Sequence, residues 1–302
     1  MILSKTIRGI VWRGALVWGG VTLLNKLVRR QQAVPIRGSL AVVTGASQGI
    51  GTAVSHALAA QGARVVLLAR NQTLLNKHVD DIRMAGGTAR AYSVDLSDPT
   101  AVKKTAQRIL RENGVPTIVV HSAGAGRWLA VDETSAEEMR QMMAVPYFAA
   151  FDLTRELLPA MIQHGRGHFL IINSPVPYFT WPGATGYAAT RWALSGFTQG
   201  LRGDLAGTGL HVSQLTAGLT ASNYFDSNPG VLERLPKIAA LIPTLTPDQV
   251  AQAALHTIQW NKPHVIIPWQ LNLIAQYSRL FPTQAQTLAR LTGWQRTMNN
   301  EQ

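Results

Sequence analysis

In the stretch Tyr187-Ala-Ala-Thr-Arg191, a phenol and a guanidinium stand four residues apart. On a helix that spacing puts both side chains on one face. A phenol with a free pKa near ~10 needs a neighbouring cation before it can move protons at neutral pH. Arg191 supplies that charge and several hydrogen-bond donors. Its own proton does not exchange readily, because a guanidinium pKa stays above ~12. The pair reads as a working proton-transfer site with an unusual cation, or as the remnant of one.

A second chemical motif is Thr44-Gly-Ala-Ser-Gln-Gly-Ile-Gly51. Gly45, Gly49 and Gly51 permit a tight turn and a close approach of backbone to a ligand, with Ser47, Gln48 and Ile50 between them. A pyrophosphate would rest there on the N-terminus of the following helix. A lone glycine-rich loop can be turn chemistry. Directly after the first strand of an alternating pattern, it reads as a dinucleotide cradle.

That pattern runs from residue 39. Apolar runs at 39–45, 63–70, 89–96, 117–124, 167–174, 211–218 and 264–269 alternate with helical stretches. Strands alternating with helices predict an α/β fold, a Rossmann-type doubly wound parallel sheet with helices on both faces. With 302 residues, 46% hydrophobic and 15% charged, the chain has enough apolar material for such a core. There are no cysteines, which removes disulfides and thiolate metal sites. The eight histidines show no ligand-spaced cluster along the sequence, so no metal is assigned.

On these motifs residues 39–269 resemble the short-chain dehydrogenase/reductase family, and the rest of the site follows from that resemblance. Thr44, Gly45, Gly49 and Gly51 meet its T-G-x-x-x-G-x-G motif. Ala69 stands where NAD-preferring relatives commonly place an acid, and Arg70 and Asn71 follow. An acid would repel a ribose 2′-phosphate and a guanidinium binds one, so NADP(H) is the expected cofactor. Asp95 and Leu96 fall at the adenine, and Ala123, Gly124 and Gly218 along the cofactor. Ser174 lies thirteen residues before Tyr187, as in the family, where the serine polarises a substrate carbonyl and the tyrosine passes the proton. Arg191 replaces the family's lysine, keeping charge and ribose contacts but not proton relay. Pro146 stands where relatives carry an asparagine that supports a water chain, and lacks both that side chain and an N–H. His121 and Ser122 depart from the usual N-N-A-G, and His121 reads as a packed strand residue. Tyr178, Phe179, Trp181, Tyr224 and Phe225 fall near the family's substrate cleft, implying a hydrophobic, lipid-like substrate. Relatives usually form dimers or tetramers through helices equivalent to 140–163 and 187–206.

The ends have a different character. The net charge is +12, and seven Lys or Arg residues lie in 1–38 with no acid before Asp80. Trp12 and Trp18 are interleaved with these cations, and the uncharged run from Gly14 to Asn25 falls short of the ~20 apolar residues of a bilayer span. Residues 1–38 are therefore expected to form a basic amphipathic segment lying on, or shallowly inserted in, an anionic membrane surface, with the protein cytoplasmic and either peripherally attached or anchored by that segment. In the C-terminal segment 270–302, Leu271, Ile274, Tyr277 and Phe281 recur at helical spacing. After Pro282, so do Ala285, Leu288, Leu291 and Trp294. Those helices would close the site, meet a second subunit or touch lipid.

Two functions remain. One is an NADP(H)-dependent oxidoreductase interconverting a carbonyl and a hydroxyl on a hydrophobic substrate. The other is a catalytically impaired NADP(H)-binding scaffold or regulatory protein at the membrane. No nucleic-acid module accompanies the basic ends, so nucleic acid is not an expected partner.

Overall fold

Each apolar run expected to be a strand forms one in the computed structural model, which describes residues 33–222 and 231–296. The strands are β1 (Leu40–Thr44), β2 (Arg64–Ala69), β3 (Thr88–Ser93), β4 (Ile118–His121), β5 (Gly167–Asn173), β6 (Leu210–Ala217) and β7 (His264–Ile267). They pair in parallel in the order β3-β2-β1-β4-β5-β6-β7. The chain steps outward from β1 to β3 and then returns to the far side of β1. A crevice therefore opens above the C-terminal ends of β1 and β4, where such sheets bind ligands.

The helices are α1 (Gly49–Ala60), α2 (Gln72–Met84), α3 (Pro99–Glu112), α4 (Ala136–Met143), α5 (Ala149–His164), α6 (Thr185–Asp204), α7 (Pro247–Gln259), α8 (Trp269–Leu280) and α9 (Pro282–Thr292). Successive strand residues point to opposite faces, and β1 shows the division. Ala41 and Val43 pack with Val54 and Leu58 of α1, Leu75 of α2 and Val250 of α7. Leu40 and Val42 pack with Ile109 of α3, Leu153 of α5 and Leu194 of α6. Both faces of the central strands are covered, which is why β1, β2, β4 and β5 read as largely apolar runs, whereas the edge strand β3 alternates exposed and buried residues.

Pro146 is buried in a π-helical turn, Ala144–Phe148, that joins α4 to α5. The irregularity expected of a proline lacking its N–H takes that form.

The C-terminal helices depart from the expected periodicity. On α8 the buried row is Leu271, Ala275 and Ser278, whereas Tyr277 and Phe281 are exposed at 44% and 48%. Narrow packing explains this: a row at i, i+4 and i+7 touches the body of the protein, and the two aromatic rings fall outside it. No helix among the described residues is long and apolar enough to cross a membrane. The basic segment expected over 1–38 lies almost wholly outside the described residues, as do Tyr224 and Phe225.

Candidate active site

The glycine loop is shaped by what leaves no room for a side chain. A Cβ on Gly45 would stand 2.8 Å from the Ala123 Cα, and one on Gly51 would stand 2.2 Å from the Gly45 carbonyl oxygen. Gly45 and Gly49 also hold positive φ values of 67° and 60°, conformations that glycine adopts at little cost. The Thr44 Oγ1 accepts hydrogen bonds from the Ser122 and Ala123 amides, both at 3.1 Å. This ties the end of β1 to the end of β4.

Gly45, Ser47, Gln48, Arg70, Asn71, Asp95 and Leu96 line one groove of about 270 Å³, with Ala69 and Val145 beside them. Arg70 is exposed at its rim. The Asn71 side chain accepts from the Leu74 amide at 3.0 Å and so caps α2. The Asp95 carboxylate accepts from the Ser97 amide and hydroxyl, which hold its pKa below the usual carboxylate range, with Arg70 adding to the effect. Both residues build the groove's walls as well as facing it.

A second cavity, of about 250 Å³, holds Ser174, Tyr187 and Arg191 together with Gly49, Ile50, Gly51, Gly124 and Gly218. Gln48 lines both spaces. Tyr187, Thr190, Arg191, Leu194 and Ser195 form the buried side of α6, so helical spacing does bring the phenol and the guanidinium to one face. Arg191 is only 8% exposed, and its guanidinium carbon lies 4.8 Å from the centre of the Tyr187 ring. A Cβ on Gly124 would come within 2.9 Å of the Arg191 Nη2. Glycine there makes space for the arginine. The Ser174 Oγ accepts from the Val176 amide at 3.4 Å, which leaves its hydroxyl proton for another acceptor.

Several participants escaped the sequence reading. Asn173 is buried, and its Nδ2 donates to the Arg191 carbonyl at 3.1 Å and to the Ser195 Oγ at 2.9 Å. Its Oδ1 accepts from the Ser174 amide at 2.8 Å, so one side chain locks the serine's backbone to the helix carrying the tyrosine. Trp128 packs on Tyr187 with ring centres 5.8 Å apart and on Trp181 at 5.1 Å. Leu271 and Ile274 of α8 complete the apolar wall, so this helix closes the cavity. No local motif announces Asn173 or Trp128, whereas closure of the site was one of the roles expected of the C-terminal helices.

Phe179 and Trp181 line the cavity as expected. Tyr178 does not. Its hydroxyl lies 3.0 Å from the His264 Nε2 and accepts from Gln214 at 3.1 Å, beside a separate surface cavity. The turn after β5 points neighbouring rings in different directions. His121 is the packed strand residue that was expected: its Nε2 lies 2.9 Å from the Thr154 Oγ1, and burial lowers its pKa to about 4. The histidines also do more than their spacing along the chain indicated, since His56, His78 and Asp81 meet between α1 and α2.

A family model described as short chain dehydrogenase matches residues 39–229. The dehydrogenase/reductase SDR family member 7B of Danio rerio is 29% identical over 82% of this chain and 83% of its own. The human 17-beta-hydroxysteroid dehydrogenase 13 is 26% identical over 90% of this chain and 89% of its own. Among solved structures, a metagenomic short-chain oxidoreductase in complex with NADP superposes with a TM-score of 0.65 at 29% identity, covering 78% of this chain and 98% of that one. The actinorhodin polyketide ketoreductase with NADPH, at 24% identity and a TM-score of 0.69, shares the fold. The family match takes in the glycine loop, Ser174, Tyr187 and Arg191 together, and on it the chain belongs to the short chain dehydrogenase family.

Proposed function

We propose that the protein is an NADP(H)-dependent oxidoreductase that interconverts a carbonyl and a hydroxyl on a hydrophobic substrate. The observation that carries this reading is the junction at Gln48, where the glycine-lined groove meets the apolar cavity holding Ser174, Tyr187 and Arg191. The groove fits a dinucleotide phosphate because Gly45 and Gly51 present backbone where a Cβ would collide. Arg70, with no acid at Ala69, favours a 2′-phosphate. The NADP bound by the 29%-identical relative agrees with this. When bound, the nicotinamide supplies or takes up the hydride.

The chain's own residues do the rest. Ser174 donates its hydroxyl proton to a substrate carbonyl oxygen and polarises the carbon. Tyr187 delivers a proton to that oxygen during reduction and removes it during oxidation. Arg191, over the face of the Tyr187 ring, stabilises the phenolate that remains. Trp128, Phe179, Trp181, Leu271 and Ile274 exclude water and select an apolar substrate. The name of the human relative, a hydroxysteroid dehydrogenase, supports a substrate of that character.

Exposed apolar side chains support two further parts of this reading. On α8, Trp269, Leu273 and Leu280 are 67%, 58% and 74% exposed, beside an acid-free basic stretch, which suits contact with an anionic membrane. Phe148, Phe151 and Trp192 are exposed on the segments through which a dimer or tetramer would form.

The alternative, an NADP(H)-binding protein with impaired turnover, draws on Arg191. Its Nε is buried without a hydrogen-bond partner, so the substituted cation is imperfectly accommodated. The test is NADPH consumption by the full chain in liposomes with a panel of lipophilic ketones. Turnover that disappears in Tyr187→Phe supports the enzyme. NADPH binding with no substrate oxidising it supports the alternative.

A further inference from the structure

Behind the cofactor loop, residues from two helices converge. His78 and Asp81 stand at i and i+3 on α2, and His56 faces them from α1. One ligand-type atom from each lies within 4.8 Å of the others. The His78 Nδ1 is already 3.9 Å from an Asp81 carboxylate oxygen. Two ligands at ~2.1 Å from a zinc-like ion stand at most ~4.2 Å apart, so only small side-chain rotations separate this arrangement from a coordination sphere. The rings of His56 and His78 meet edge to face at 5.5 Å, and all three residues are half-buried.

The second observation is on the other side of the His78 ring, where the Nε2 lies 3.1 Å from the Ser47 carbonyl oxygen. Only a donor satisfies a carbonyl. That bond therefore puts a proton on Nε2 and makes Nδ1, the nitrogen 3.9 Å from the Asp81 carboxylate, the ring atom that would ligate. A ring nitrogen bonded to a backbone carbonyl, with the opposite nitrogen free to ligate, is the usual support for a metal-binding histidine.

We propose that His56, His78 and Asp81 form a binding site for a divalent ion of the zinc class, seated between α1 and α2 and anchored through His78 to the carbonyl of Ser47. Two imidazoles and one carboxylate suit zinc, cobalt or nickel and discriminate against magnesium and calcium, which take oxygen ligands. Three protein ligands leave a fourth position for water. The site is separate from the catalytic cavity and does not depend on the proposed oxidoreductase reaction.

The test is titration of the full-length, chelator-treated protein with zinc chloride by calorimetry, with and without excess magnesium. The expected result is one zinc per chain at micromolar affinity, unaffected by magnesium, and a higher melting temperature on binding. His56→Ala and the nearly isosteric Asp81→Asn should each weaken binding about tenfold or more. Melting of the metal-free variants checks that both fold, and Asp81→Asn carries the test if His56→Ala does not. Unchanged affinity in a folded variant overturns the site, as does binding only at millimolar zinc or with several ions per chain.

Discussion

The guanidinium of Arg191 meets Tyr187 through the face of its ring, with 4.8 Å between the guanidinium carbon and the ring centre. The cation thus meets the π system of the ring, the arrangement of a cation–π contact. Arg191→Ala should lower both NADPH affinity and turnover. Arg191→Lys keeps the charge, restores an exchangeable proton and should match or exceed the parent turnover; with Pro146→Asn added, the double variant should exceed either single change. Steady-state kinetics in the presence of a lipophilic ketone measure this, and a lysine variant slower than the alanine variant would contradict it.

Tyr187→Phe removes only the phenolic proton donor. Turnover should fall by about 10²–10⁴-fold, the range of a general acid, while NADPH still quenches or enhances protein fluorescence with little change in affinity. Loss of cofactor binding in this variant would instead give the ring a structural role.

Arg70 lies at the rim of the groove, and Ala69 rather than an acid precedes it in the chain. Arg70→Ala should weaken NADPH binding about tenfold or more, the scale of a hydrogen bond to a charged group, and leave NADH binding nearly unchanged. Paired titrations with the two cofactors measure the ratio. Equal affinities in the unmutated protein would remove the assignment.

Asn173→Ala strands the Ser174 amide and the Ser195 hydroxyl in a buried place. A destabilisation of about 1–3 kcal/mol is expected for such unsatisfied groups, together with a loss of turnover larger than the loss of cofactor affinity. Urea unfolding and kinetics on the same preparation separate the two effects. A variant of parent stability and parent activity would show that Ser174 is positioned by other contacts.

Stability should fall on mild acidification. Burial lowers His121 to about 4 and His168 to about 3, while the unfolded chain takes up those protons near 6.5. The folded state therefore binds fewer protons between about pH 6.5 and 4, and stability drops as pH falls through that window. The slope is up to about 1.4 kcal/mol per pH unit for each imidazole. Glu133, held down to about 2 chiefly by Arg234, adds its loss only below about 4.5. Urea unfolding at pH 7.5 and 5 measures the first effect; a flat profile would contradict it, and a folded His168→Gln should shallow it.

The central strands were legible because burial on both faces leaves no polar alternation to confuse them, and the glycine loop because its backbone requirements are local. Tyr187 and Arg191 were legible because helical spacing is local too. Asn173 was not, since its partners Arg191 and Ser195 lie on another element. His56, His78 and Asp81 escaped for a similar reason: ligand spacing along a chain reveals sites on one helix, not between two. Tyr178 was misplaced because a turn can send adjacent side chains to different cavities. At α8 the hydrophobic period was real, but which apolar row is buried depends on the surface it meets.

The wall contributed by Leu271 and Ile274 lies beyond residue 229, where the family match ends. Ser174, Tyr187, Arg191 and the glycine loop lie within it. On the proposed function, chemistry and substrate choice would thus be encoded partly in separable stretches of the polypeptide. A chimera carrying another relative's counterpart of residues 230–302 should therefore take on part of that relative's substrate range and keep this protein's cofactor preference.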